Sequence, residues 1–215
     1  MIPDICRMEI LIIAATSFEI QPTIDRLGDR QTNLVTGLGS VSATHALMHR
    51  IARKRPGLVI QAGIAGSFHT GQIGKVLAVN EEIQADLGVW EDNVFKTIFD
   101  LGLTNKDAPP YTQGLLHNPH RDLLNLTALP QVRAITVNEI TTSPKRIGWY
   151  QQNWAPFVES MEGAALHYTC LQEQIPFLQL RSVSNDIGQR DKSKWDIRGA
   201  IANLNSKLID ILESL

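Results

Sequence analysis

The stretch VESMEGAALHYTCLQEQIPFLQLRSVSND, residues 158–186, reads as strand, helix and strand in succession. Its middle, Gly163 to Glu173, is predicted as a helix closed by Pro176, which has no N–H with which to continue one. The run from Phe177 to Val183 is β-rich and apolar. It has four counterparts earlier in the chain: Ile10 to Ala14, Leu58 to Ala62, Val76 to Val79 and Val132 to Val137. Runs that are apolar on both faces suit strands covered by helices from each side. Two further segments supply such helices. Ser40 to Arg53 places Val41, Leu47, Met48 and Ile51 near helical spacing, and the end of the chain repeats Ile201, Leu204, Leu208, Ile211 and Leu212 on one stripe. Strands alternating with helices predict a three-layer α/β/α sandwich around a central sheet.

One domain over residues 1–215 is expected, because residues 102–119, with prolines at 109, 110 and 119, read as a loop excursion rather than a boundary. The first strand is expected to begin at Met8, which leaves residues 1–7 as a leader with no assigned function. The chain has 215 residues, 43% of them hydrophobic. A domain of this size buries roughly 70% of its unfolded surface, so it needs neither disulfide nor metal to hold a core. With 20 Lys+Arg against 22 Asp+Glu the net charge is -2, and nucleic acid is not an expected partner. The densest basic cluster, Arg53 to Arg55, falls at a predicted helix end, where cations suit the dipole. Cys6 and Cys170 form no CxxC and no Cys/His ligand set, so no metal site is expected and a reducing cytoplasm fits best. The apolar run Ile10 to Ala15 is too short for a signal-peptide core or a bilayer span.

Three places combine a strand end with glycine or carboxylate, which is where open α/β sheets hold ligands. In IIAATSFEI, Glu19 follows a buried strand and can orient or deprotonate a water; the alternative is an acid favoured by a helix N-terminus. The clusters TGLGS (Thr36 to Ser40) and QAGIAGS (Gln61 to Ser67) each follow a strand-like run and can aim backbone N–H groups at an anion or a sugar hydroxyl. Close packing of strand and helix is the other reading of their glycines. Neither is a dinucleotide or P-loop fingerprint. In the third place, Glu159 and Glu162 flank Met161 where a strand hands over to a helix, and a later strand ends in Ser184, Asn185 and Asp186. An inward carboxylate at a helix start is costly without hydroxyls or a charge to bind, and amide or carboxyl side chains suit a purine edge. SND is equally a turn sequence.

Taken in this order the segments resemble the purine nucleoside phosphorylase and nucleosidase superfamily, from about Met8 to the C-terminal helix. IIAATSFE is similar to its first strand and water-activating acid, TGLGSVSAT and QAGIAGSF to its glycine-rich loops, ESMEGAA to its ribose-binding signature and RSVSND to its purine-side strand. Within it the chain resembles the futalosine hydrolases, through SMEGAA, GIAGSF and SNDIGQRDKSKW. Adenine-specific relatives carry an Asp directly after the serine of the purine strand, where this chain has Asn185.

The resemblance implies a nucleoside phosphorylase-like fold with a mixed sheet, a nucleoside substrate, no cofactor and a homo-oligomer. It implies that Glu19 activates water, that Met161 and Glu162 hold the ribose with Gly39 and Gly66 beside it, and that Asn185 contacts N7 and O6 of hypoxanthine. Asp186 is a reserve acid, although strand alternation would turn it to the opposite face. Phe157 can stack on the base or pack in the core. Arg190 and Trp195 lie in a loop placed to cover the base or to meet the aromatic carboxylate of futalosine, and Trp195 alternatively packs at a helix start. Phosphorolysis needs a cation for the phosphate, and neither AATSFE nor TGLGS offers one. Arg181 is the one candidate nearby, with an ion pair as its alternative role. Water is therefore the expected nucleophile.

Overall fold

The segment Ile10–Ala14 shows why the sheet is central. Leu11 and Ile13 point into one apolar cluster, Ile12 and Ala14 into another, and all four are almost fully buried. Period-two alternation with both faces apolar requires cover on both sides. The computed structural model describes residues 9–28 and 31–215; the expected leader, residues 1–7, and the expected strand start at Met8 lie outside them. In chain order the elements are β1 (Ile10–Ala14), α1 (Ser17–Leu27), β2 (Thr32–Val35), α2 (Ser40–Arg53), β3 (Leu58–Ser67), β4 (Val76–Gln84), β5 (Gly88–Glu91), β6 (Val94–Thr97), β7 (Leu116–His117), α3 (Arg121–Leu126), β8 (Gln131–Thr136), α4 (Pro144–Asn153), β9 (Val158–Ser160), α5 (Gly163–Gln172), β10 (Phe177–Asp186) and α6 (Ile197–Ser214).

The sheet runs β10-β4-β8-β9-β3-β1-β2 and is mixed. Strands β1, β2, β3 and β10 are parallel neighbours, whereas β4 meets β10 and β9 meets β3 antiparallel. Because β10 pairs with β3 as well as β4, five strands (β3, β10, β4, β8 and β9) close into a ring, and only the β1–β2 side stays open. The ring interior is filled by Ala65, Leu77, Val79, Val132, Ala134, Val158 and Val183. Helices α1, α3 and α6 cover one face through Ile20, Leu123, Leu204, Leu208 and Ile211, and α2 and α5 cover the other through Leu47, Ile51, Leu166 and Cys170. The expected sandwich is present, with part of its central sheet curled on itself.

Strands β3, β4 and β10 run longer than their apolar cores, because pairing on both sides carries them on into polar residues. The cluster QAGIAGS lies inside β3 rather than in a loop, and this corrects its expected placement. Its glycines serve close approach: a Cβ at Gly63 would fall 2.2 Å from Arg181 Nη1 and 3.0 Å from Glu19 Oε1. In TGLGS a loop is retained, with Gly39 at φ 83°, a region side chains other than glycine rarely occupy.

One buried amide ties the two ends of the chain together. Asn205 of α6 accepts from Thr23 N (3.0 Å) and Thr23 Oγ1 (2.6 Å) and donates to the carbonyls of Glu19 and Ile201, both at 2.8 Å. Replacing Asn205 with Ala leaves Thr23 donors buried without an acceptor, so a loss of about 2 kcal/mol is expected in urea unfolding. A change below about 0.5 kcal/mol would show that water or a local shift fills the gap.

Candidate active site

Thr16, extended at φ -133°, breaks the chain direction between β1 and α1. Glu19, three residues on, reaches back so that its Oε2 accepts from Thr16 N (3.0 Å) and Thr16 Oγ1 (3.1 Å), the reciprocal half of a capping box. Its Oε1 accepts from the N–H of Ile64 on β3 (3.1 Å). The carboxylate is thus held from both sides, only 7% exposed, and lines a cleft of about 370 Å³. That volume suits a nucleoside-sized ligand.

Opposite stands Glu162 at the N-cap of α5, where the helix dipole favours a negative charge. Its Oε1 accepts the N–H of Gly39 (2.9 Å) and its Oε2 lies 3.8 Å from Arg181 Nη2. Arg181 is 2% exposed and also donates to Gln61 Oε1 (2.9 Å), so it is the buried partner of Glu162 rather than a free cation. Ser40 Oγ donates to the Met161 carbonyl, which joins the start of α2 to the end of β9. Beneath lies a fully buried acid, Glu82, which takes Thr136 Oγ1 (2.9 Å) and Gln179 Nε2 (3.0 Å). Burial drives its carboxyl up to about 7, against the lowering effect of those two hydrogen bonds and of Arg181.

At the far wall Asn185 and Glu159 face the cleft from β10 and β9. Asn185 Oδ1 accepts from Ser184 Oγ (2.8 Å) and its Nδ2 donates to the Asp186 carbonyl (3.1 Å). Glu159 Oε1 accepts the N–H of Thr141 (3.0 Å). Burial raises the Glu159 carboxyl above the ordinary range; the Thr141 hydrogen bonds lower it and the charge of Asp86 raises it further. The mouth is lined by residues of the segment after β10. Trp195 Nε1 donates to the Gln189 carbonyl (2.8 Å), the Arg190 guanidinium sits 5.6 Å from the Trp195 ring, and the segment is pinned where Asp196 N donates to the Ser184 carbonyl (2.9 Å).

The fold brings Glu19, Met161, Glu162, Gly66, Asn185, Arg190 and Trp195 into one cleft. Three expected residues stand elsewhere. Asp186 does not line it: alternation along β10 turns its side chain away, in register with Ser67, and its Oδ1 is buried with no hydrogen-bond partner among the described residues. Phe157 does not line it either, because the backbone bonds that fix residue 157 turn its ring onto His69 (centroids 4.7 Å apart) and the apolar interior of the strand ring. Gly39 acts one layer back, its N–H spent on Glu162. Sequence reasoning missed the supporting polar groups Thr16, Gln61, Glu82, Thr136 and Gln179, which become neighbours only through sheet pairing.

The family model described as the phosphorylase superfamily matches residues 17–215, and the chain belongs to that superfamily. It is 30% identical over 175 residues to the futalosine hydrolase of Thermus thermophilus, covering 80% of this chain and 76% of that protein. With the futalosine hydrolase of Acidothermus cellulolyticus it shares 31% identity over 80% of this chain and 70% of that one. At this identity and coverage it is a member of the futalosine hydrolase family, and an N-glycosyl hydrolase. A solved structure of Helicobacter pylori futalosine hydrolase superposes with TM-score 0.79 at 16% identity, over 99% of this chain and 100% of that one. A mutant 5′-methylthioadenosine/S-adenosylhomocysteine nucleosidase from the same organism, with 5′-methylthioadenosine in its active site, gives 0.81 at 16% identity over 97% and 99%. Likeness at that identity speaks for the fold. No helix among the described residues is long and apolar enough to cross a membrane.

Proposed function

We propose that the chain hydrolyses the N-glycosidic bond of futalosine, releasing hypoxanthine and dehypoxanthinyl futalosine for menaquinone biosynthesis, and does so in the cytoplasm as a single-domain subunit of a homo-oligomer. The observation that carries the reading is one cleft with two separately held carboxylates, Glu19 and Glu162, and an amide, Asn185, at the base end. A water bound to Glu19 attacks C1′ and gives up a proton to that carboxylate, while the electrons of the C1′–N9 bond pass into the purine; the purine anion takes a proton from solvent to leave as hypoxanthine, and Glu19 returns its proton to solvent. By analogy with inverting glycosidases, water and leaving group stand on opposite faces of the sugar. Glu162 accepts hydrogen bonds from the ribose hydroxyls beside Met161 and opposes the positive charge that grows on the ring. Asn185 offers the amide N–H not spent on the Asp186 carbonyl to the N7/O6 edge, where negative charge collects. Proton transfer of this kind supplies on the order of 10²- to 10⁴-fold, and orientation much of the rest.

Engagement of Arg181 by Glu162 and Gln61 supports water over phosphate as the nucleophile. Among the described residues that line the cleft, Arg190 is the only cation, and it is exposed at the mouth, where the aromatic carboxylate of futalosine would emerge. Arg190→Ala is expected to raise KM for futalosine by roughly five- to tenfold with kcat little changed, since an exposed ion pair is worth about 1 kcal/mol. An unchanged KM would remove Arg190 from substrate binding. The homo-oligomer is supported by apolar residues on the rim, Phe18, Leu38 and Ile140, which are 58%, 67% and 46% exposed.

The test is release of free base from futalosine, methylthioadenosine and inosine, each with and without phosphate. Hypoxanthine from futalosine at a phosphate-independent rate is the expected result. Adenine from methylthioadenosine would move the chain to the adenine nucleosidases, phosphate dependence would make it a phosphorylase, and silence on all three would leave a binding protein.

A further inference from the structure

Helix α5 begins at a residue that does not cap it. An N-cap side chain ordinarily accepts an N–H of its own first turn, as Asp196 does for Gly199 of α6 (2.8 Å). Glu162 holds that place in α5, but its carboxylate makes no such bond and is turned to the Gly39 N–H (2.9 Å) and towards Arg181. The N–H of Ala164, the second residue of the helix and fully buried, is taken instead by Thr136 Oγ1 (2.8 Å) from β8.

Glu82 decides which way that hydroxyl works. A hydroxyl carries a single proton, and Thr136 gives it to Glu82 Oε1 (2.9 Å), which leaves its lone pairs for Ala164. Gln179 Nε2 of β10 holds the other oxygen of Glu82 (3.0 Å). The acid lies directly on the first turn of α5: a Cβ at Gly163 would fall 2.1 Å from Glu82 Oε2 and 2.4 Å from Gln179 Nε2. Thr136 is also tied to the strand that delivers Glu162, since it pairs with Ser160 of β9. Thr136, Glu82 and Gln179 are each at most 2% exposed, so bulk water does not compete for these bonds.

We propose that Thr136, oriented by Glu82, is a positioning residue for the ribose-binding carboxylate: it caps α5 in place of Glu162 and so leaves that carboxylate turned into the cleft; this rests on the nucleosidase reading above and deepens it. Neither Thr136 nor Glu82 lines the cleft, so both act through Glu162. Without the hydroxyl, the Ala164 N–H is buried with no acceptor, and the carboxylate of its own N-cap residue is the group that turns back to meet it. A carboxylate folded onto Ala164 is drawn away from Gly39 and from the sugar. Misplacement of a binding group by about 1 Å can cost about 10²-fold in rate.

The experiment measures kcat/KM for futalosine and for 2′-deoxyfutalosine in wild type, Thr136→Val and Thr136→Ser. Valine keeps the shape of the side chain without the hydroxyl, and serine keeps the hydroxyl. The ratio of the ribose to the deoxyribose substrate is expected to fall at least tenfold in Thr136→Val and to stay within about twofold of wild type in Thr136→Ser. A role in folding alone would slow both substrates alike. A folded Thr136→Val with the wild-type ratio therefore overturns the proposal, and so does a Thr136→Ser that has lost it. Hydrogen exchange at the Ala164 amide decides the case in which the valine variant does not fold. Wild type and Thr136→Ser are expected to exchange that amide roughly a hundredfold more slowly than an unprotected one, and unslowed exchange in wild type overturns the proposal. In each of these cases, continued cleavage of futalosine by wild type leaves the hydrolase reading standing. A wild type that cleaves neither nucleoside overturns both.

Discussion

Glu19→Gln is expected to lower kcat for futalosine by about 10³ while hypoxanthine still binds within about twofold of wild type. The reason lies in what the substitution keeps. A glutamine carbonyl can still accept the Thr16 N–H that starts α1, but its amide cannot also accept from Ile64, so about 1 kcal/mol of stability goes with one lost hydrogen bond. What disappears is the ability to take a proton from water. Steady-state kinetics with futalosine, run beside a hypoxanthine titration and a melting curve, separate these effects. A variant that keeps a tenth or more of wild-type kcat would show that another group takes the proton, and the assignment of Glu19 would fall.

The second large effect concerns stability and pH. Glu82 is completely buried, with a carboxyl raised from 4.5 to about 7, so the folded chain favours its neutral form. A group whose folded value lies above its unfolded one contributes stability that is complete below about 4.5 and is lost as pH rises through 7, a span of about 3 kcal/mol. Wild type is therefore expected to lose about 3 kcal/mol more than Glu82→Gln between pH 4.5 and pH 8 in urea unfolding. His167, driven down to about 3 by burial, has the opposite slope below 6.5, but both proteins share it and it cancels in the difference. Parallel stability curves would mean that Glu82 is ionised at all these pH values or is open to water. Gly163 marks how tightly the acid is enclosed, since a Cβ there would fall 2.1 Å from Glu82 Oε2.

The layer order was legible because the apolar runs are long and periodic. Ser40–Arg53 matches the predicted helix, and β1 coincides with the apolar run Ile10 to Ala14. The hairpin β5–β6 and the short strand β7 carried no such signal: they are two to four residues long, and pairing rather than composition makes them strands. Closure of the ring is equally invisible in one dimension. At the site, Glu162 was legible from its place at a strand-to-helix junction, and alternation correctly turned Asp186 away from Asn185. Arg181 could be read two ways until Gln61 and Glu162 appeared beside it. Phe157 could also be read two ways, since an aromatic ring before a ribose motif looks the same whether it faces the ligand or, as here, packs on a histidine and the core.

The two ends of the cleft are built on different principles. Asn185, Gly66 and Glu159 stand on strands hydrogen-bonded to one another through β3, so the end of the cleft proposed to hold the base shares the rigidity of the ring. The mouth is walled by a connecting segment whose residues Gly188, Arg190 and Asp191 to Lys194 are exposed and largely bonded to one another. Such segments tolerate insertion and exchange far better than paired strands do. Diversification of this scaffold should therefore be lopsided: descendants of one ancestor can acquire new groups beyond the ribose by rewriting about ten loop residues, while a change of base demands coordinated replacements in three strands. A library confined to that loop would explore substrates without putting the fold at risk.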